Sequence, residues 1–318
     1  RYWGHFPIAD LQYGLDLPLG VSLRAFAPFI PGDAAASNIP AAAFIVYLTN
    51  AGATDLEGVL ALSFPGPDPA GVKPVRHERF SSAELRGVSV TDTKGAGYAL
   101  AVQAHGDTEV GGAFSEPKYP WSLLREGKVP PLEEGHPGVS VKVGFHLLPG
   151  ATARVVFLLG WYYPLWRDSD GRPRQHRYSF RFDSPRNVVD YLSANWHALL
   201  DRILLWQAAI YESALPPWLQ DALINGLYSL AKNTLWLYSD RQDDWWGENG
   251  LLVHSESFTG CPITETMVCR FHGHFPLLLF FPELELSTLR AFKHFQLSTG
   301  EIPFCFGHST SVDRPHYY

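Results

Sequence analysis

The chain has 318 residues, enough for two domains of the usual ~50–250 residues, and an apolar fraction of 46% with ten tryptophans supports a large packed core, which excludes a disordered chain. A net charge of −7 without any basic run excludes the electrostatic footprint that nucleic-acid binding requires. Cys261, Cys269 and Cys305 are too few and too scattered for a disulfide framework or a zinc knuckle, and no CxxC pair or HExxH occurs, so the expected setting is reducing and cytoplasmic. The longest apolar run, FPLLLFF, falls far short of the ~20 residues that span a bilayer, and no integral membrane segment is expected.

From Arg1 to about Asp183 the signals are those of strands: short alternating β-branched or aromatic runs separated by Gly, Pro and Asp clusters. VSLRAFAPF from Val21, AAFIVYLTN from Ala42, GVLALSF from Gly58, VSVKVGFHL from Val139 and ATARVVFLLGWYY from Ala151 are such runs. In the fourth, Val139, Val141, Val143, Phe145 and Leu147 share one face, while Ser140, Lys142 and His146 point the other way. Strands at this spacing predict an antiparallel β-sandwich.

Helical periodicity takes over at Ser184, whose hydroxyl can cap the first free amides, with Pro185 at the first helical position. Val189, Leu192, Trp196, Leu199, Ile203 and Trp206 then recur three or four apart and predict one long helix with a single apolar stripe. Leu215, Pro216 and Pro217 end it. A second helix starts near Trp218, with Leu219, Ala222, Leu223, Leu227, Leu230 and Ala231 facing a core. SDRQDDWWGENG reads as a loop, Thr264 to Phe281 as a helix capped by Thr264, and Leu286 to Leu297 as a short amphipathic helix.

The stretch from Trp245 to Phe281, which reads as a short glutamate-bearing loop followed by an apolar helix, concentrates the chemistry. It packs Glu248, Glu256 and Glu265 with His254, His272 and His274 among aromatic rings, and carboxyl groups held against apolar surface are what glycoside chemistry uses. Adjacent Trp245 and Trp246 cannot both stack on one sugar face, so one of the pair belongs to a core. His272 and His274 are two apart, which on a helix points them different ways, and no metal site is expected. Glu265, in the first turn of the predicted helix, is favoured by the helix dipole whether or not it meets a ligand. Arg270 suits an internal carboxylate as well as a substrate.

That stretch, together with ALPPWLQDALINGLYSLAKNTLW before it and FPLLLFFPELE and GEIPFCFG after it, resembles glycoside hydrolase family 116, the group of the non-lysosomal glucosylceramidase and bacterial β-glucosidases. Combined with the change of periodicity, the resemblance implies a β-sandwich over 1–183, a linker helix over 184–214 and, over 215–318, the opening helices of an (α/α)6 barrel. The remainder of that barrel is expected in the same chain or a partner chain, because the chain reads as a piece of a longer protein, and without it an apolar face of Trp218, Leu223, Phe275, Leu278 and Phe281 is expected to lie in water. The implied activity is hydrolysis of β-linked glycosides with retention, through a glutamate nucleophile and an aspartate acid, with no metal or organic cofactor.

Counting back from Glu265-Thr266 with a one-residue gap places the nucleophile at Glu256, with Glu248 as the alternative. Trp245, Trp246, His254, Glu265 and Arg270 are the implied substrate contacts. The acid/base aspartate lies beyond the segment that closes this chain. Two departures stand out: Val268 occupies the place of an aspartate that bonds the sugar, and Phe304 and Cys305 replace the polar pair of the family's IPHD. These favour either a less hydroxylated sugar or a rival reading, a non-catalytic carbohydrate-binding or scaffolding homologue.

Overall fold

The computed structural model describes residues 1–14, 17–67, 75–103, 107–239, 245–246, 250–257, 260–308 and 311–317, the side chains of 271–273 excepted. The described residues fall into two compact units that interleave along the chain. One comprises Arg1–Ala27, Pro40–Tyr162 and Phe182–Leu200; the other comprises Pro28–Ile39, Tyr163–Arg181 and Asp201–Tyr318.

In the first unit the alternating runs form strands β1 (Tyr2–His5), β2 (Ile8–Tyr13), β3 (Leu19–Phe26), β4 (Ala41–Asn50), β5 (Leu56–Phe64), β6 (Arg76–Ser81), β7 (Arg86–Thr91), β8 (Gly97–Gln103), β9 (Thr108–Gly112), β10 (Val139–Leu147) and β11 (Thr152–Tyr162). They pair antiparallel in two sheets, ordered β1-β2-β3-β4-β11-β8-β7-β6 and β5-β10-β9. Val88, Val90, Leu100 and Val102 of the larger sheet and Val139, Val141 and Val143 of the smaller one meet in one core, so this unit is a β-sandwich.

The opposite face of β10 departs from expectation. Ser140 and Lys142 are buried as well, because Ser140 Oγ donates to the Gly112 carbonyl at 2.7 Å, and the Lys142 ammonium donates to Glu109 at 2.6 Å and to the Gly127 carbonyl. Polar residues on that face are covered by chain that follows β9, and their charge and hydrogen-bond demands are met locally.

The predicted long helix is present, running over Pro185–Tyr211, with the Asn187 amide donating to Ser184 Oγ at 3.2 Å. Its first half belongs to the sandwich unit. Val188, Val189, Leu192 and Trp196 are buried there, and a side chain at Gly160 of β11 would come within 2.9 Å of Val188 and Val189, so a glycine is what lets helix and sheet approach. Gln103 fastens the contact, donating to the Ser193 carbonyl at 3.0 Å and accepting from Trp196 Nε1 at 2.9 Å.

The second unit is less helical than its periodicity predicts. A five-stranded antiparallel sheet, β12 (Leu165–Arg167), β13 (Pro173–His176), β14 (Thr234–Tyr238), β15 (Leu251–Ser257) and β16 (Cys261–Thr264), occupies its centre in that order. This unit also holds the four-residue turn α1 (Ala34–Ser37) and the second half of the long helix α2, followed by α3 (Pro217–Asn225), α4 (Tyr228–Asn233), α5 (Met267–Phe280) and α6 (Pro282–His294). The expected single helix from Trp218 is therefore broken around Gly226, and the backbone turns extended at Thr234.

The glutamate-bearing segment is a strand rather than a loop. Leu235 opposes Val253 and Leu237 opposes Leu251, and Leu237, Leu251 and Val253 join Ala291, Phe292, Phe306 and Val312 in the core of this unit. Gly250, at φ +72, makes the entry to β15, where any side chain would press on the Leu237 carbonyl at 2.3 Å. Helix α5 starts after Thr266, two residues later than predicted, and α6 starts at Pro282, four residues earlier, with proline at its first position. Helix α6 is tied to β15 through Ser287 Oγ, which accepts from the Leu252 amide at 3.0 Å, and Thr288 Oγ1, which donates to the Leu252 carbonyl at 2.8 Å. Among the described residues, no helix is long and apolar enough to cross a membrane.

Candidate active site

Strand β15 carries His254 and Glu256 on one face, since residues two apart point the same way. Glu256 is part-exposed. Its two carboxylate oxygens each accept from a thiol: Oε2 from Cys261 Sγ of β16 at 3.0 Å, and Oε1 from Cys269 Sγ of α5 at 3.1 Å. Its backbone carbonyl accepts from Asn233 Nδ2 at 3.3 Å, which anchors the strand to the end of α4. The Cys261 and Cys269 thiols are the main groups that hold the Glu256 carboxyl below its usual range, so it is ionised at neutral pH.

Glu265 sits at the corner between β16 and α5, fully buried, at φ +53, the one non-glycine residue with positive φ among those described. A glutamate held there stores backbone strain of ~1–3 kcal/mol, which persists only where surrounding bonds over-determine it. They do: Glu265 accepts from Arg270 Nη1 at 2.8 and 3.0 Å and from the His254 amide, while its own amide donates to the His254 carbonyl at 2.8 Å. Arg270 Nη2 reaches the buried Glu285 of α6, and Glu285 Oε1 lies 2.6 Å from His274 Nδ1. Burial pushes the Glu265 carboxyl up to about 7 against the pull of Arg270.

The implied site residues are thus partly convergent. Glu256, His254, Glu265 and Arg270 come together around β15 and the start of α5. Trp245 stacks on His294 at 4.8 Å and meets Trp246 edge-on at 5.1 Å, while Trp246 is a core residue with the Arg174 guanidinium 5.1 Å over its ring. Glu248, the alternative nucleophile, and the side chain of His272 lie outside the described residues. Phe304 and Cys305 do run beside the site, because the Met267 amide donates to the Phe304 carbonyl at 2.9 Å and Phe306 to that of Thr264 at 2.9 Å. Val268, on the first turn of α5, is 59% exposed.

Two features escaped sequence reasoning. Of the three cysteines, Cys261 and Cys269 meet on one carboxylate. Asp168, Asp170 and Asp313 also cluster closely enough to suggest a cation site. Three guanidinium groups match that charge, however: Arg174 reaches Asp313 at 3.0 Å and Asp168 at 3.4 Å, Arg314 reaches Asp170 at 2.9 Å, and Arg172 pairs with Asp313. The cluster is an ion-pair network tying β13 to the segment after α6.

His254 and His176 are both pushed down to about 4, burial being the main cause for each. Both are neutral when folded at pH 7 and take up a proton only on unfolding, so stability from these groups is full above pH ~6.5 and is lost as pH falls toward 4. His254→Gln is expected to flatten the fall in unfolding free energy between pH 6.5 and 4 by up to about 1.4 kcal/mol per pH unit, measured by urea denaturation across that range. An unchanged slope would contradict the buried neutral imidazole.

A family model described as "beta-glucosidase 2, glycosyl-hydrolase family 116 N-term" matches residues 1–199, which is the sandwich, β12 and β13 and the first half of α2. Among solved structures, one described as a kojibiose phosphorylase from the human microbiome matches at 10% identity and TM-score 0.40, covering 97% of this chain and 38% of that one. A galactose mutarotase related enzyme from Lactobacillus acidophilus matches at 9% identity and TM-score 0.29, covering 51% of this chain and 71% of that one. The chain thus spans well under half the length of the phosphorylase it matches.

Proposed function

The chain belongs to glycosyl-hydrolase family 116, and from that premise we propose that it forms the N-terminal part of a retaining β-glycosidase, β-glucosidase- or glucosylceramidase-like, in which Glu256 is the nucleophile. The observation that carries this reading is the division of labour among three glutamates. Glu265 and Glu285 are buried in ion pairs with Arg270, whereas Glu256 is part-exposed and ionised, and among the described residues its carboxylate accepts from two thiols, both weak donors. An ionised carboxylate that reaches solvent can attack an anomeric carbon and form a glycosyl-enzyme; an aspartate about 5–5.5 Å away, supplied beyond this chain, would protonate the leaving oxygen and then activate water.

We place the later helices of an (α/α)6 barrel over the apolar side chains that this chain leaves in water. Trp218 is 70%, Phe275 68% and Leu279 72% exposed, with Leu223 and Leu278 also in solvent, whereas Phe281, predicted to belong to the same face, is buried edge-on against Phe29 at 5.7 Å. Such a face is rarely tolerated by a small soluble protein. A fragment ending at Tyr318 is therefore expected to bind a hydrophobic dye strongly and to self-associate, and the full-length protein not to. A monodisperse fragment with no dye signal would count against the barrel.

With Val268 and Phe304 where relatives carry polar groups, each unmatched sugar hydroxyl loses roughly 1–3 kcal/mol, and preference shifts toward deoxy or pentose glycosides. The same residues favour the rival, a non-catalytic carbohydrate-binding homologue. Incubating the full-length protein with activated 2-deoxy-2-fluoro β-glycosides and mapping the labelled peptide separates the two: label on Glu256 supports the glycosidase, and binding without label or turnover supports the rival.

A further inference from the structure

The candidate nucleophile is unusual in its partners. Among the described residues its carboxylate is held not by an arginine, a lysine or backbone amides but by two thiols, from two different elements, one on each oxygen. We propose that Cys261 and Cys269 are positioning residues for Glu256, fixing the plane and direction of its carboxylate through one S–H donor on each oxygen. The proposal rests on the reading of Glu256 as the nucleophile.

The geometry makes the clamp specific. Glu256 rides on β15, Cys261 on β16 and Cys269 on α5, so the carboxylate is triangulated by three elements, and rotating it about its last bond breaks both contacts together. A carboxylate oxygen has two lone pairs, and a single S–H donor on each leaves the other free to meet an anomeric carbon. A thiol is also a weak donor, so it orients the group without quenching it as a bidentate guanidinium does. The contrast lies a few residues away: Arg270 takes both oxygens of Glu265, and that carboxylate is fully buried.

The arrangement needs both thiols protonated, and the site supplies the reason they stay so. The Glu256 carboxylate raises the Cys261 thiol, and burial followed by the same carboxylate pushes Cys269 up to about 11. Neither thiol is thus a reactive nucleophile at neutral pH. Cys305, the third cysteine, is fully buried, and its carbonyl accepts from the His316 amide at 3.1 Å; the clamp is made by the other two.

The test has two arms, both on the full-length enzyme. In the first, iodoacetamide alkylation of Cys261 and Cys269 is followed against pH by mass spectrometry, in the parent and in Glu256→Gln. Removing the anion is expected to move both alkylation midpoints down by about one pH unit. In the second, kcat/KM is measured against pH for Cys261→Ala/Cys269→Ala and for Cys261→Ser/Cys269→Ser, with thermal melts as a folding control. The alanine pair is expected to lose about tenfold in kcat and to move the acid limb to higher pH, since Glu256 then takes up its proton more readily; the serine pair, which restores a donor at each position, is expected to bring the acid limb back.

Label on Glu256 from the fluoroglycoside, combined with unmoved alkylation midpoints and an unmoved acid limb, overturns the clamp alone. Moved midpoints with the label on another residue overturn it through its premise, the role of Glu256.

Discussion

Glu256→Gln in the full-length enzyme is expected to lower turnover of an activated aryl β-glycoside by on the order of 10⁴-fold or more while leaving the melting temperature close to the parent's. Glutamine keeps the length and shape of the side chain and still offers one oxygen to a thiol, so strand β15 keeps its pairing with β14 and its tie to α6. It cannot form the glycosyl ester, because a neutral amide is neither ionised nor able to donate electron density as a carboxylate does. The loss belongs in kcat and kcat/KM together, since the missing interaction is made only on the way to the covalent intermediate. A variant that turns over an activated substrate at near the parental rate would sink the assignment. If Glu248→Gln is instead the inactive variant, the family pattern was aligned with its gap in the wrong place.

The second large effect concerns folding. Arg270→Met is expected to destabilise the protein by about 3–5 kcal/mol at pH 8, because it strips the counter-charge from Glu265 and Glu285, both fully buried, and leaves two anions in a low-dielectric site. The deficit should shrink as pH falls. With its guanidinium partner present, Glu265 is already pushed up to about 7, so below that pH the folded state holds a proton that an unfolded glutamate, at about 4.5, has released. Stability from this group is therefore full below pH ~4.5 and is lost as pH rises through 7, opposite in sign to the contribution of His254 and His176. Removing Arg270 strengthens that trend, and the variant's unfolding midpoint in urea should move closer to the parent's at pH 5.5 than at pH 8. Equal midpoints for variant and parent at pH 8 would contradict a structural role. Because Arg270 and Glu265 pin the first turn of α5 to β15, the same loss should loosen Cys269 from Glu256.

The sequence by itself determined the elements whose cause is local. Alternation over Val139–Leu147 and Ala41–Asn50 marked strands of the sandwich, since a period of two reports which side chains face the core. Ser184 and Pro185 marked the start of α2 through capping, which involves only neighbouring residues.

Other features belong to the tertiary structure. Strands β14 and β15 read as a helix end and a loop, because what makes them extended is their mutual register, Leu235 on Val253 and Leu237 on Leu251, and the docking of α6 through bonds that span 35 and 36 residues. The partners of Arg270 lie five residues before it and fifteen after, and nothing in periodicity selects them; burial does, by leaving a guanidinium and two carboxylates no other way to meet their charge. The meeting of Cys261 and Cys269 on Glu256 has the same origin. The two thiols are eight positions apart, a spacing with no meaning for a knuckle or a helix face, and it is the turn at Glu265, between β16 and α5, that brings them to one carboxylate.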